Sequence, residues 1–73
     1  MANFDSIVDY FIYIVDGYHS RRGIFPRSVH MPLYDAELLD KFYDFLPEKY
    51  KTIDIKGISN LDHWITSGPK ELN

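Results

Sequence analysis

Apolar side chains along this chain change their period several times, and each change marks an element. Phe4, Ile7, Val8, Phe11, Ile14, Val15 and Tyr18 recur at spacings of three and four, while Asp5, Ser6, Asp9 and Asp16 fall mostly off that stripe. This is the period of a helix with one buried face, and Asn3 or Asp5 can serve as its N-cap. A strand competes over 10–15, where aromatic and β-branched residues are dense; the longer-range period favours a helix over 4–22. Gly17 and Gly23 are both candidate stops. Arg21 and Arg22 favour the second, because cations in a last turn oppose the negative end of the helix dipole.

Residues 23–26 read as a connection. The period then drops to two, with Val29, Met31 and Leu33 on one face, which predicts a strand over 27–33. Pro32 cannot donate to a ladder and belongs near that strand's end or on an edge. Asp35 reads as an N-cap with Glu37 in the first turn, and Tyr34 and Leu39 stand at the two positions of a hydrophobic staple. Leu38, Leu39, Phe42, Phe45 and Leu46 continue a helical stripe up to Pro47, so the pattern predicts a helix over 35–46. Alternation returns in Thr52-Ile53-Asp54-Ile55-Lys56 ahead of Gly57, predicting a strand over 51–56. Ser59 or Asn60 then caps a short helix over 59–66, with Leu61, Trp64 and Ile65 at helical spacing and Ser67-Gly68-Pro69 breaking it.

The expected architecture is α+β (or a small α/β) with a βαβ-like core. It is a single compact domain over 1–66 with a flexible tail over 67–73. A two-stranded sheet is marginal in water. The first helix and Trp64 must therefore cover it well, or a further strand must come from a second chain.

Length makes the core a concern. A chain of 73 residues buries only about 60% of the surface its unfolded form exposes. Six Tyr, five Phe and one Trp make 16% of the chain, and such rings bring large apolar area with few rotatable bonds. Cysteine is absent, which excludes a disulfide framework and a thiolate metal site and suits a reducing compartment. The longest apolar run, Tyr10-Phe11-Ile12-Tyr13-Ile14-Val15, is far short of the roughly 20 residues a membrane span needs. The beginning, Met-Ala-Asn-Phe-Asp, lacks the basic region of a signal peptide. The expectation is a soluble, cytoplasmic protein.

Charge adds a location. The net charge of −3 is too mild for a DNA mimic and has the wrong sign for a typical duplex binder. Its distribution is uneven: all the arginines, Arg21, Arg22 and Arg27, lie in one stretch, flanked by His19 and His30, between acidic segments on either side. Tyr18, His19, Arg21, Arg22, Phe25, Arg27 and His30 are therefore the candidate partner-binding residues, since guanidinium groups pair bidentately with carboxylate or phosphate and stack on rings. The competing structural reading has Arg21 and Arg22 neutralising a helix end while Phe25 plugs the core. Asp9, Asp16, Asp40 and Asp44 form a second, acidic candidate surface, for which solubility is the plainer explanation. Tyr10, Tyr13 and Tyr43 stand at the edges of the apolar stripes, where exposure would make them contact residues.

Catalytic signatures are missing. His19, His30 and His63 have no metal-ligand spacing. Ser6, Ser20, Ser28, Ser59 and Ser67 sit in no nucleophile elbow. The glycines at 17, 23, 57 and 68 match no phosphate loop or dinucleotide fingerprint, and scattered carboxylates such as Asp40 and Asp44 fit the solvated face of a helix. No enzyme activity, metal or cofactor is expected.

In length and general character, from Met-Ala-Asn-Phe-Asp through Arg21-Arg22, the chain resembles the small transcription regulators of lytic Xanthomonas phages. That resemblance implies inhibition of host RNA polymerase through its large subunits and displacement of the sigma factor. It transfers no contact residue. Asn3-Phe4-Asp5, His19-Ser20, Phe25-Pro26 and Pro69-Lys70-Glu71-Leu72 are similar in a weaker way to the MbtH-like partners of adenylation domains, whose several tryptophans are represented here by Trp64 alone. The expected function is a small non-enzymatic protein-binding inhibitor. A nucleic-acid-binding module built on Arg21, Arg22 and Arg27 is the alternative.

Overall fold

The computed structural model describes residues 6–68. The first stripe forms a helix, α1 (Ile7–Arg22), and not a strand. Ser6 caps it: its Oγ accepts the Asp9 N–H at 3.2 Å, with the Asp9 carboxylate in the first turn. Asn3 and Asp5, the expected caps, lie outside the described residues. Gly17 stays inside the helix, and the stop is Gly23. Its φ of 77° is left-handed, and its N–H closes on the His19 carbonyl at 2.7 Å, a conformation that only glycine adopts without cost.

Two strands follow the expected alternation with shifted bounds. β1 (Ser28–Pro32) runs parallel to β2 (Asp54–Ile58), and the helix between them, α2 (Leu33–Lys41), completes a βαβ unit. Pro32 closes β1 and gives way at once to helix, so Leu33 opens α2 instead of extending the strand. Asp35 is therefore inside the first turn and is not the N-cap. Its carboxylate accepts the Trp64 indole N–H at 2.9 Å. The staple is absent too, because Tyr34 is 73% exposed while Leu39 is buried.

The helix expected over 35–46 stops at Lys41. The Phe42 N–H bonds back to Leu39 at 3.0 Å, and a 3-10 turn, Tyr43–Phe45, carries the chain to Leu46. A 3-10 turn has three residues per turn, so positions three apart eclipse. Phe42 and Phe45 accordingly point outward together, ring centroids 6.2 Å apart, and Phe45 is 74% exposed. Leu46 rejoins the core. A second 3-10 turn, Glu48–Tyr50, and the bond from the Ile53 N–H to the Tyr50 carbonyl use local partners, which delays β2 from 51 to 54.

The largest correction is at the C-terminal end. Residues 59–66 form no helix; Ile65–Ser67 is a third strand, β3, antiparallel to β1. β1 thus becomes the centre of a mixed sheet ordered β2-β1-β3. A helix there would have left one edge of β1 unpaired. The β-branched pair Ile65-Thr66 suits a strand instead, and the indole bond to Asp35 pins Trp64 just before it. Ser67, expected to begin the tail, pairs with Ser28, and Gly68 is buried. The rest of the expected tail lies outside the described residues.

The result is a small α+β fold with its core on one face of the sheet. Val8, Phe11 and Val15 of α1 meet Val29 and Met31 of β1, Leu39 of α2, and Leu46, Tyr50 and Ile53 from the turns. Gly57 lets α2 press onto β2: a Cβ there would stand 2.8 Å from Leu33 Cδ1 and 2.9 Å from Ala36 Cβ. The Tyr50 hydroxyl donates to Asp16 Oδ1 at 2.7 Å, tying α1 to the turns. Burial, then that hydrogen bond and the aspartate's charge, push the Tyr50 pKa from 10.0 up to about 12. The folded state therefore holds this proton more tightly than the unfolded chain. Tyr50 contributes stability that is fully present below pH 10 and is lost as pH rises towards 12. Urea unfolding across that window is expected to show the decline, and Tyr50→Phe to flatten it. An equally steep decline in the variant would assign it to other groups.

Candidate functional site

The cationic stretch spans the last turn of α1, the Gly23 reversal and the entry to β1. Adjacent helical positions lie about 100° apart, so Arg21 and Arg22 leave α1 in different directions. The Arg22 guanidinium carbon stands 5.1 Å from the centroid of the Tyr18 ring, one turn earlier. Arg21 runs back along α1: a Cβ at Gly17 would lie 3.3 Å from its Nη1. With Tyr13, Ile14, Trp64 and Thr66 it lines a shallow groove of about 250 Å³ between α1 and β3.

Past the reversal, His19 stacks on Phe25 with ring centroids 4.3 Å apart and planes at 29°. Phe25 in turn meets Tyr50 edge-on at 6.3 Å. Arg27 is held by its backbone: its N–H donates to the Ser67 carbonyl at 2.7 Å, and its carbonyl accepts from the Asp54 N–H at 3.0 Å. Its side chain is exposed, as are those of His19, Arg21 and Arg22. Among the described residues the ion pairs are Lys51 with Glu48 and His63 with Asp62. None involves an arginine.

The expected set therefore divides. His19, Arg21, Arg22 and Arg27 are exposed within segment 19–27, where Pro26 is buried. Tyr18 is buried beneath Arg22, and Phe25 is packed against the core, as the structural reading of that ring required. His30 sits in the middle of β1, half-buried, its Nδ1 without a hydrogen-bond partner among the described residues. Ile24, which had no place in the apolar stripes, is exposed between Gly23 and Phe25 and adds an apolar contact group. Its position directly after a left-handed glycine was the available signal.

The acidic candidates Asp9, Asp16, Asp40 and Asp44 are all exposed, with Asp16 occupied by Tyr50. Of the three tyrosines in question, Tyr13 is exposed. Tyr10 packs edge-on against Trp64 at 4.8 Å, and Tyr43 donates to the Lys51 carbonyl at 2.9 Å. The segment 19–27 holds no nucleophile aligned with a base. It offers cationic planes, a stacked imidazole and one aliphatic side chain, which is the composition of a contact surface. No protein-family profile matches the chain, and neither a curated protein nor a solved structure is detectably similar to it.

Proposed function

We propose that this chain is a small, non-enzymatic binding protein that docks through His19, Arg21, Arg22, Ile24 and Arg27 onto an acidic surface of another protein. One observation carries the reading. Eleven acidic residues outnumber eight Lys and Arg in the sequence, yet none of the arginines is ion-paired within the described structure. Their carboxylate-binding capacity is left for a partner, and the apolar Ile24 beside them favours a protein over a bare phosphate backbone.

The resemblance to small phage transcription regulators makes bacterial RNA polymerase the first partner to try, with blocked initiation as the consequence. The test is capture from a bacterial lysate with the tagged chain, followed by promoter-dependent transcription in vitro. Retained polymerase and reduced transcription support the inhibitor reading. Retention of a different protein keeps the binding reading and drops the polymerase. A mobility shift with duplex DNA that fades steeply with salt, and no retained protein, transfers the function to nucleic acid.

A further inference from the structure

The outer edge of β2 is a second surface, separate from the cationic end. β2 borders the sheet, and its side chains are exposed apart from a half-buried Ile55. The Asp54 N–H points to β1, where it meets the Arg27 carbonyl. Successive peptide groups of a strand alternate in direction, so the N–H and C=O groups of Ile55 and Gly57 face outward. No backbone bond from outside the sheet reaches either residue among those described. Beside this edge lies an open groove of about 580 Å³, lined by Leu33, Ala36 and Ile55 among others.

We infer that this edge pairs with β2 of a second copy of the chain, antiparallel and centred on Ile55. Charge selects the occupant and the register. In that register Asp54 of each copy lies opposite Lys56 of the other, on the sheet face away from the helices. These are non-hydrogen-bonded positions, where opposed side chains come closest. The neighbouring registers that keep the outward groups aligned fail. Sliding one way sets Lys56 opposite Lys56, and sliding the other way sets Asp54 opposite Asp54. A further slide sets Lys56 opposite Ile58. A lysine on an edge strand ordinarily discourages pairing with foreign strands; here the strand's own aspartate, two residues away, cancels it in a symmetric pair. On the helix face, Ile55 meets Ile55 across the two-fold axis at the groove's mouth, with the outward N–H and C=O of each bonding the other.

The test uses the full chain and two exposed single reversals, Asp54→Lys and Lys56→Asp, each verified as folded by circular dichroism. Sedimentation equilibrium of the unaltered chain should show the mass rising from 8.6 kDa towards twice that value with concentration. Each reversal alone puts like charges opposite each other and should weaken association at least about tenfold. Mixing the two variants restores unlike charges at every cross-strand position and should restore the dimer. A chain that stays monomeric at all concentrations overturns the inference and leaves the edge to another protein's strand or to solvent. So do reversals that associate as well as the original, or a mixture that remains monomeric.

Discussion

Phe11→Ala is expected to abolish cooperative folding at 25 °C. Phe11 is among the side chains with no exposure at all and belongs to the cluster that joins α1 to β1 and α2. Truncating such a ring costs about 3–5 kcal/mol, from lost transfer energy and from the cavity left behind. The core of a domain this small supplies a net ~3–5 kcal/mol. One substitution therefore removes the whole margin. Phe45→Ala supplies the contrast: that ring is 74% exposed and, among the described rings, meets Phe42 alone. Its loss should stay within about 1 kcal/mol. Thermal and urea melts followed by circular dichroism check both. A Phe11→Ala protein with a sharp transition near the original midpoint would contradict this account of the core.

Arg21→Glu combined with Arg22→Glu carries the second large effect. At an interface, truncating a desolvated charge costs ~2–5 kcal/mol, and reversing it adds repulsion from the partner's carboxylates. Partner affinity should therefore fall at least about a hundredfold. Fold stability should fall by much less. Each new carboxylate opposes the end of the α1 dipole by roughly 0.3–1 kcal/mol, and Arg22 leaves the Tyr18 ring, another ~0.5–1 kcal/mol. Arg21→Gln with Arg22→Gln removes charge without adding repulsion and should give an intermediate affinity, which separates pairing from a damaged fold. Equal partner recovery by the original and the doubly reversed chain would assign these arginines to the helix end alone.

The parts of this fold that were legible in the sequence are those where one period persists and a residue with a single conformational meaning ends it. α1 is such a case through its stop, the left-handed Gly23 after Arg21 and Arg22, although its cap is Ser6 and not the expected Asn3 or Asp5. The β1–α2–β2 unit could be read from its alternation and its length. The failures share one cause, bonds that local pattern does not encode. The stripe 38–46 keeps helical spacing, yet a switch to three residues per turn at Phe42 sends two rings outward. Leu61, Trp64 and Ile65 keep helical spacing too, but the free edge of β1 and the indole bond to Asp35 draw the segment into a strand. The cationic stretch was legible as a segment, because clustering of Arg is visible in one dimension. Which members face solvent was not, since Tyr18 and Phe25 are drawn inward by packing contacts distant in sequence, such as Phe25 with Tyr50.

The central claim is that segment 19–27 is the surface that meets the partner. Amide hydrogen exchange, compared between the free chain and the captured complex, tests it most directly. The account predicts slowed exchange across residues 19–27, strongest at Ile24 and Phe25, whose N–H groups no helix or strand bond protects among the described residues, with the acidic outer face of α2 unchanged. Protection confined to α2 or the β2 edge, with 19–27 exchanging as in the free chain, would contradict it.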